Sequence, residues 1–237
     1  QLLQLAGERE GRTVVGEREP YDIAVFTDSA GMLGVRDLFD FYEPSTTEAI
    51  VPEGAHPASD FSSQLFSFSS IASANKAFNR EFLLQCAKEV KCSTWLGLQC
   101  AALSQATKIV VTKRPLATLR CLPFASTGLV GARAMLDDVF SGFEEARANF
   151  TGDDEAACGL DAAAARHLIL MVDLIRNPIA RRYCFEDARE RGGEAIARAL
   201  AGSQLTDAEC VVCRALLGET YDAYTGYRDT LVLNGVI

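Results

Sequence analysis

The 237-residue chain reads as a mainly α protein, a helical bundle of about five to six helices preceded by a long, largely irregular N-terminal arm. Three observations predict this. Pro20, Pro44, Pro52 and Pro57 interrupt residues 1–72, where no helical period is found. From Asn75 onward apolar residues recur at helical spacing. A composition of 49% hydrophobic and 23% charged residues is that of a chain able to bury a core.

The arm, residues 1–72, carries at most one short strand, Tyr21-Asp22-Ile23-Ala24-Val25-Phe26, and a Ser/Phe-rich run from Ser59 to Ser73. Leu33, Leu38, Phe39, Phe41, Tyr42, Phe61, Leu65, Phe66 and Phe68 make it too apolar for a free tail, so it lies against something. A Gly-Glu-Arg-Glu element at Gly7–Glu10 returns at Gly16–Glu19, too short for a repeat fold.

Residues 73–237 are the bundle, with an apolar C-terminal tail. Phe78, Phe82, Cys86 and Val90 mark one face of a first helix. A second is expected from about Thr94 to Val111, ending before Pro115. A third follows the Ser126-Thr127-Gly128 turn, with Met135, Val139 and Phe143 on one face and Leu136 and Phe140 beside them. The fourth starts near Asp161, with Leu160, Ala164, Leu168, Met171 and Ile175 as its stripe, and stops at Asn177-Pro178. A fifth covers Ile179 to Leu200, weakened by Gly192-Gly193. Thr206 and Glu209 form a capping box that opens the sixth, ahead of Val211, Val212, Leu216 and Leu217.

The net charge of −9 is segregated: residues 1–72 carry −8, residues 73–135 carry +7 and residues 136–237 carry −8. All five lysines, Lys76, Lys88, Lys91, Lys108 and Lys113, lie in the middle segment. Either the acidic segments cover this basic stretch, or Lys88, Lys91, Lys108 and Lys113 face a partner, namely other protein subunits or an anionic lipid surface. Overall acidity argues against nucleic acid. No run is long and apolar enough for a transmembrane segment; Cys92 to Thr107 reads as a buried helix. The start at Gln1, with no methionine, fits a targeting segment either removed or left out of the sequence.

Eight cysteines suit disulfides in an oxidising compartment, or small core residues. Cys210-Val211-Val212-Cys213 is the one Cys-x-x-Cys, a candidate redox pair at a helix start, although no strand precedes it as in a thioredoxin-type site. Zinc is not expected, because no second pair exists and His56 and His167 are the only histidines. Arg214 stands where a c-type haem would need histidine. His167 lies beside the apolar stripe of the fourth helix, where it could ligate a haem or pigment or serve as hydrogen-bonded packing. Ala164 removes the Glu-x-x-His pattern of a di-iron site.

Ile23 to Gly31, a strand followed by a nucleophile turn, resembles the first block of the GDSL-type hydrolases. That resemblance implies a catalytic serine, yet Thr27 replaces the family's glycine and neither histidine has an aspartate three residues before it. Without a base the serine is not activated. Asp137-Asp138, Glu144-Glu145 and Asp153-Asp154-Glu155 lack the ligand spacing of a calcium loop and read as solvated faces and a loop. Tyr221, Tyr224 and Tyr227, with the apolar tail from Leu231 to Ile237, form a candidate contact surface.

These features lead us to expect a non-catalytic structural or accessory subunit of a larger assembly, with no cofactor and no metal, in a plastid or mitochondrion. The alternatives are a secreted, disulfide-stabilised binding protein glycosylated at Asn149, and a thiol-redox enzyme using Cys210 and Cys213.

Overall fold

The computed structural model describes residues 23–26, 54–61, 65–66, 76–112, 128–150, 154–175 and 177–233. Among them are four strands, β1 (Ile23–Phe26), β2 (Gly54–Pro57), β3 (Lys76–Phe78) and β4 (Lys108–Thr112). Seven α-helices follow or intervene: α1 (Arg80–Glu89), α2 (Trp95–Gln105), α3 (Leu129–Ala148), α4 (Asp154–Leu174), α5 (Pro178–Ala201), α6 (Asp207–Gly218) and α7 (Tyr221–Leu233). The molecule is mainly helical, as the periodicity predicts.

The sheet is the principal departure. Its order is β2-β4-β1-β3, with β1 and β4 parallel, and β2 and β3 antiparallel to β4 and β1. The described part of residues 1–72 therefore supplies two strands, where at most one is expected. The second expected helix stops at Gln105, because Lys108-Ile109-Val110-Val111-Thr112 is a β-branched run that pairs as β4. Ile109 and Val111 are buried while Lys108 and Val110 are half-buried, the alternation of a strand with one face on a core. Phe78 belongs to β3, and Asn79 caps α1 by accepting from the backbone N–H groups of Glu81 and Phe82. Gly54 opens β2 at φ +139°, a conformation that side-chain-bearing residues rarely adopt.

In the bundle, α4 and α5 form the most extensive helix pair, α3 packs on both, and α2 lies along α3. The predicted α4 stripe of Leu160, Ala164, Leu168, Met171 and Ile175 is buried throughout. α4 begins earlier than expected, at Asp154, whose carboxylate and that of Glu155 suit the positive end of a helix. α5 runs unbroken through Gly192-Gly193. A Cβ at Gly192 would lie 2.4 Å from Leu168 Cδ1 and 3.3 Å from Phe140 Cε1, so the glycine allows α5 to approach α4 and α3 closely. The capping box of α6 forms as predicted.

The α2–α3 crossing is equally tight. A Cβ at Gly142 would sit 2.9 Å from Leu96 Cβ and 3.1 Å from its Cγ. Leu96 Cβ is fixed to its backbone and cannot rotate away. Overpacking of about 1–3 kcal/mol then exceeds the roughly 1 kcal/mol that alanine gains over glycine in a helix. Gly142→Ala is expected to lower unfolding free energy by about 1 kcal/mol in urea titrations, whereas an unchanged midpoint would show that the crossing is looser.

Candidate functional site

The turn between α1 and α2 is built around Glu145 of α3. Thr94 is the N-cap of α2, its Oγ1 accepting from Gly97 N–H at 3.0 Å. The Glu145 carboxylate crosses from α3 and accepts four hydrogen bonds. Ser93 N–H donates to Oε1 at 2.8 Å, Thr94 N–H and Oγ1 donate to Oε2 at 3.3 Å and 3.1 Å, and the Ser93 hydroxyl donates to Oε1. Desolvation works to raise Glu145, but the bonds from Ser93 and Thr94 outweigh it and hold the carboxyl below its usual range. Gly97 makes room, since a Cβ there would meet Glu145 Oε2 at 2.5 Å.

Beside this clamp is a cleft of about 270 Å³, lined by Ser93, Thr94, Trp95, Leu96, Asp138 and Val139. Trp95, the only tryptophan in the chain, is 42% exposed and is steadied by an edge-to-face contact with Phe78, centroids 5.7 Å apart. Asp138 is exposed. It makes no ion pair among the described residues, unlike Asp137, which accepts from Arg191 at 2.6 Å.

A second polar group brings Lys76 of β3 near Cys100 of α2 and His167 of α4, all three buried. Burial brings the Lys76 amine down to about 7, with Cys100 opposing, and pushes the Cys100 thiol up to about 12. Burial likewise lowers His167 to about 4, against the bond to the Ala163 carbonyl and with the help of Lys76 and Arg166. His167 Nδ1 donates to Ala163 O at 2.7 Å, and the ring stands against Phe143 at 5.0 Å. The packing reading of this histidine is thus the one its surroundings match.

Three other part-buried carboxylates brace helices. Asp161 of α4 accepts from Arg147 of α3 at 3.0 Å and Arg198 of α5 at 3.2 Å. Asp173, also on α4, accepts from Arg181 of α5 and from Tyr224 and Arg228 of α7. Glu209 of α6 takes a two-pronged contact from Arg166 of α4, 2.6 Å and 3.0 Å.

The predicted site residues are dispersed. Lys88 and Lys91 are exposed at the end of α1, Lys108 is half-buried on β4, and Lys113 lies outside the described residues. The tyrosines do not share one surface. Tyr227 is exposed and Tyr221 half-buried, but Tyr224 is fully buried, packed on Phe185 and bonded to Asp173. The reason is spacing on α7, which turns the middle tyrosine inward toward α4 and α5. Thr27 to Gly31 and the tail beyond Leu233 lie outside the described residues.

Seven described cysteines are free thiols, so the disulfides that the composition suits are not formed among them. Cys213 is buried, and burial, with Glu209 and Cys210, pushes its thiol up to about 12. That is opposite to the direction a redox nucleophile needs. Asn149 Nδ2, the atom a glycan would occupy, donates to the Glu145 carbonyl at 2.8 Å and closes the end of α3.

The sequence reading missed Ser93, Thr94, Trp95, Asp138 and Glu145. Thr94 ahead of an apolar run is a local cap signal, but Glu145 lies 51 residues further on and nothing adjacent announces the pairing. Compared with family models, with curated proteins and with solved structures, the chain matches none.

Proposed function

We propose that the chain is a non-catalytic structural or accessory subunit of a larger multi-protein assembly, acting through its N-terminal arm and C-terminal contacts. The observation that supports this reading best is the division of its polar groups. Asp161, Glu209, Asp173 and Glu145 are engaged in holding one element to another. Side chains of the kind that form contacts stand outside that bracing: Trp95 beside Asp138, and Tyr227 on the last helix. A rigid bundle that displays an indole and a phenol is suited to recognition, because such rings lose little conformational entropy on binding.

Native mass spectrometry of the full-length chain, isolated from its source without denaturants, tests the reading. A stoichiometric complex with at least one other polypeptide is expected. Recovery only as a lone monomer, before and after incubation with its source extract, would overturn it.

A further inference from the structure

We propose that the cleft at the start of α2 receives a single arginine side chain from a partner protein, an inference that rests on the subunit reading above. Size is the first argument. At about 270 Å³ the cleft falls below the roughly 300–1,000 Å³ of small-molecule sites, and suits one inserted side chain.

Its chemistry selects a cation. The start of a helix ordinarily attracts an anion, but here Glu145 already fills that role, taking the Ser93 and Thr94 N–H groups and both hydroxyl protons. With its proton committed to Glu145, the Ser93 hydroxyl offers only lone pairs, and Thr94 Oγ1, which also accepts from Gly97 N–H, has no proton to give. Asp138 adds a full negative charge with no ion-pair partner among the described residues. Trp95 adds a ring that is half open to solvent. A guanidinium satisfies this set better than an ammonium, because it is planar, stacks on aromatic faces and presents several donors at once.

Trp95 fluorescence reports on the cleft directly, because the chain has no other tryptophan. The full-length protein is titrated with N-acetyl-arginine amide, with the glutamine and glutamate amides as neutral and anionic comparisons. A saturable change with the arginine probe alone is expected, weakened by salt and reduced about fivefold or more by Asp138→Asn. Asp137→Asn, whose carboxylate pairs with Arg191 outside the cleft lining, should leave it unchanged. In the isolated assembly, Asp138→Asn should also loosen the partner.

No saturable change, an equal response to the glutamine probe, or a preference for glutamate would each overturn the inference. The subunit reading would then still stand on the native complex. An arginine response in a chain that assembles with nothing would instead remove the partner as the source of that side chain.

Discussion

Glu209→Ala is expected to lower unfolding free energy by about 3–5 kcal/mol, the largest effect of any single carboxylate removal in the bundle. Two functions converge on this side chain. It accepts from the Thr206 N–H at 2.8 Å while its own N–H donates to Thr206 Oγ1 at 3.2 Å, which starts α6. It also holds the Arg166 guanidinium, whose Nη2 donates both to Glu209 Oε2 and to the Gln204 carbonyl, the latter at 2.7 Å. The two side chains are only 19% and 6% exposed, so water does not readily replace what is lost. Removing Glu209 takes this counter-ion from a part-buried charge, the costly half of a buried pair.

The capping contribution alone is smaller, and Thr206→Ala is expected to cost about 1 kcal/mol. Glu209→Gln, which can still bond to the Thr206 N–H, should fall between the two. Replacing both members, Arg166→Met with Glu209→Leu, should recover most of the loss, since an apolar pair avoids desolvating two charges. Urea titrations of the four variants at neutral pH decide the matter. A Glu209→Ala cost no greater than that of Thr206→Ala would show that the Arg166 contact contributes nothing beyond the cap.

This box also shows what the sequence made legible and why. Thr206 and Glu209 lie within one turn, so their partnership is written in four consecutive residues. The α4 stripe is legible for the same reason, since Leu160, Ala164, Leu168, Met171 and Ile175 repeat along a single element. Features that depend on distant segments were not legible. β3 has three residues and β2 four, and each exists only because β1 or β4 lies alongside. α2 is buried nearly all round, with Leu96, Gln99, Cys100, Ala101, Ala102 and Leu103 all covered, so no polar face marks where it ends. Tyr221, Tyr224 and Tyr227 read as one surface, because nothing in their own segment shows that Phe185 and Asp173, 39 and 51 residues earlier, receive the middle one. Glu144-Glu145 looks like a solvated pair, yet Glu145 alone is captured by Ser93 and Thr94.

The burial of Lys76 is the least legible of these features and carries the clearest consequence for pH. Unfolded lysine takes up its proton near pH 10.5, whereas the folded chain holds this amine neutral down to about 7. Between those values the unfolded state binds more protons, so the Lys76 contribution makes stability rise with pH. Its buried neighbours are silent in the lower part of that window. His167, brought to about 4, is already neutral, and Cys100, raised to about 12, keeps its proton. Above pH 9 the buried thiols of Cys100, Cys184 and Cys213 act in the opposite direction, because unfolded cysteine ionises there and the folded thiols do not. The measurement therefore belongs between pH 7 and 9, as a difference between the wild-type chain and Lys76→Met, which keeps most of the apolar stem. From urea titrations, the wild-type chain is expected to gain about 2 kcal/mol relative to the variant across that interval. Parallel pH profiles for the two proteins would mean that the buried amine remains charged, with its charge balanced inside the fold rather than removed.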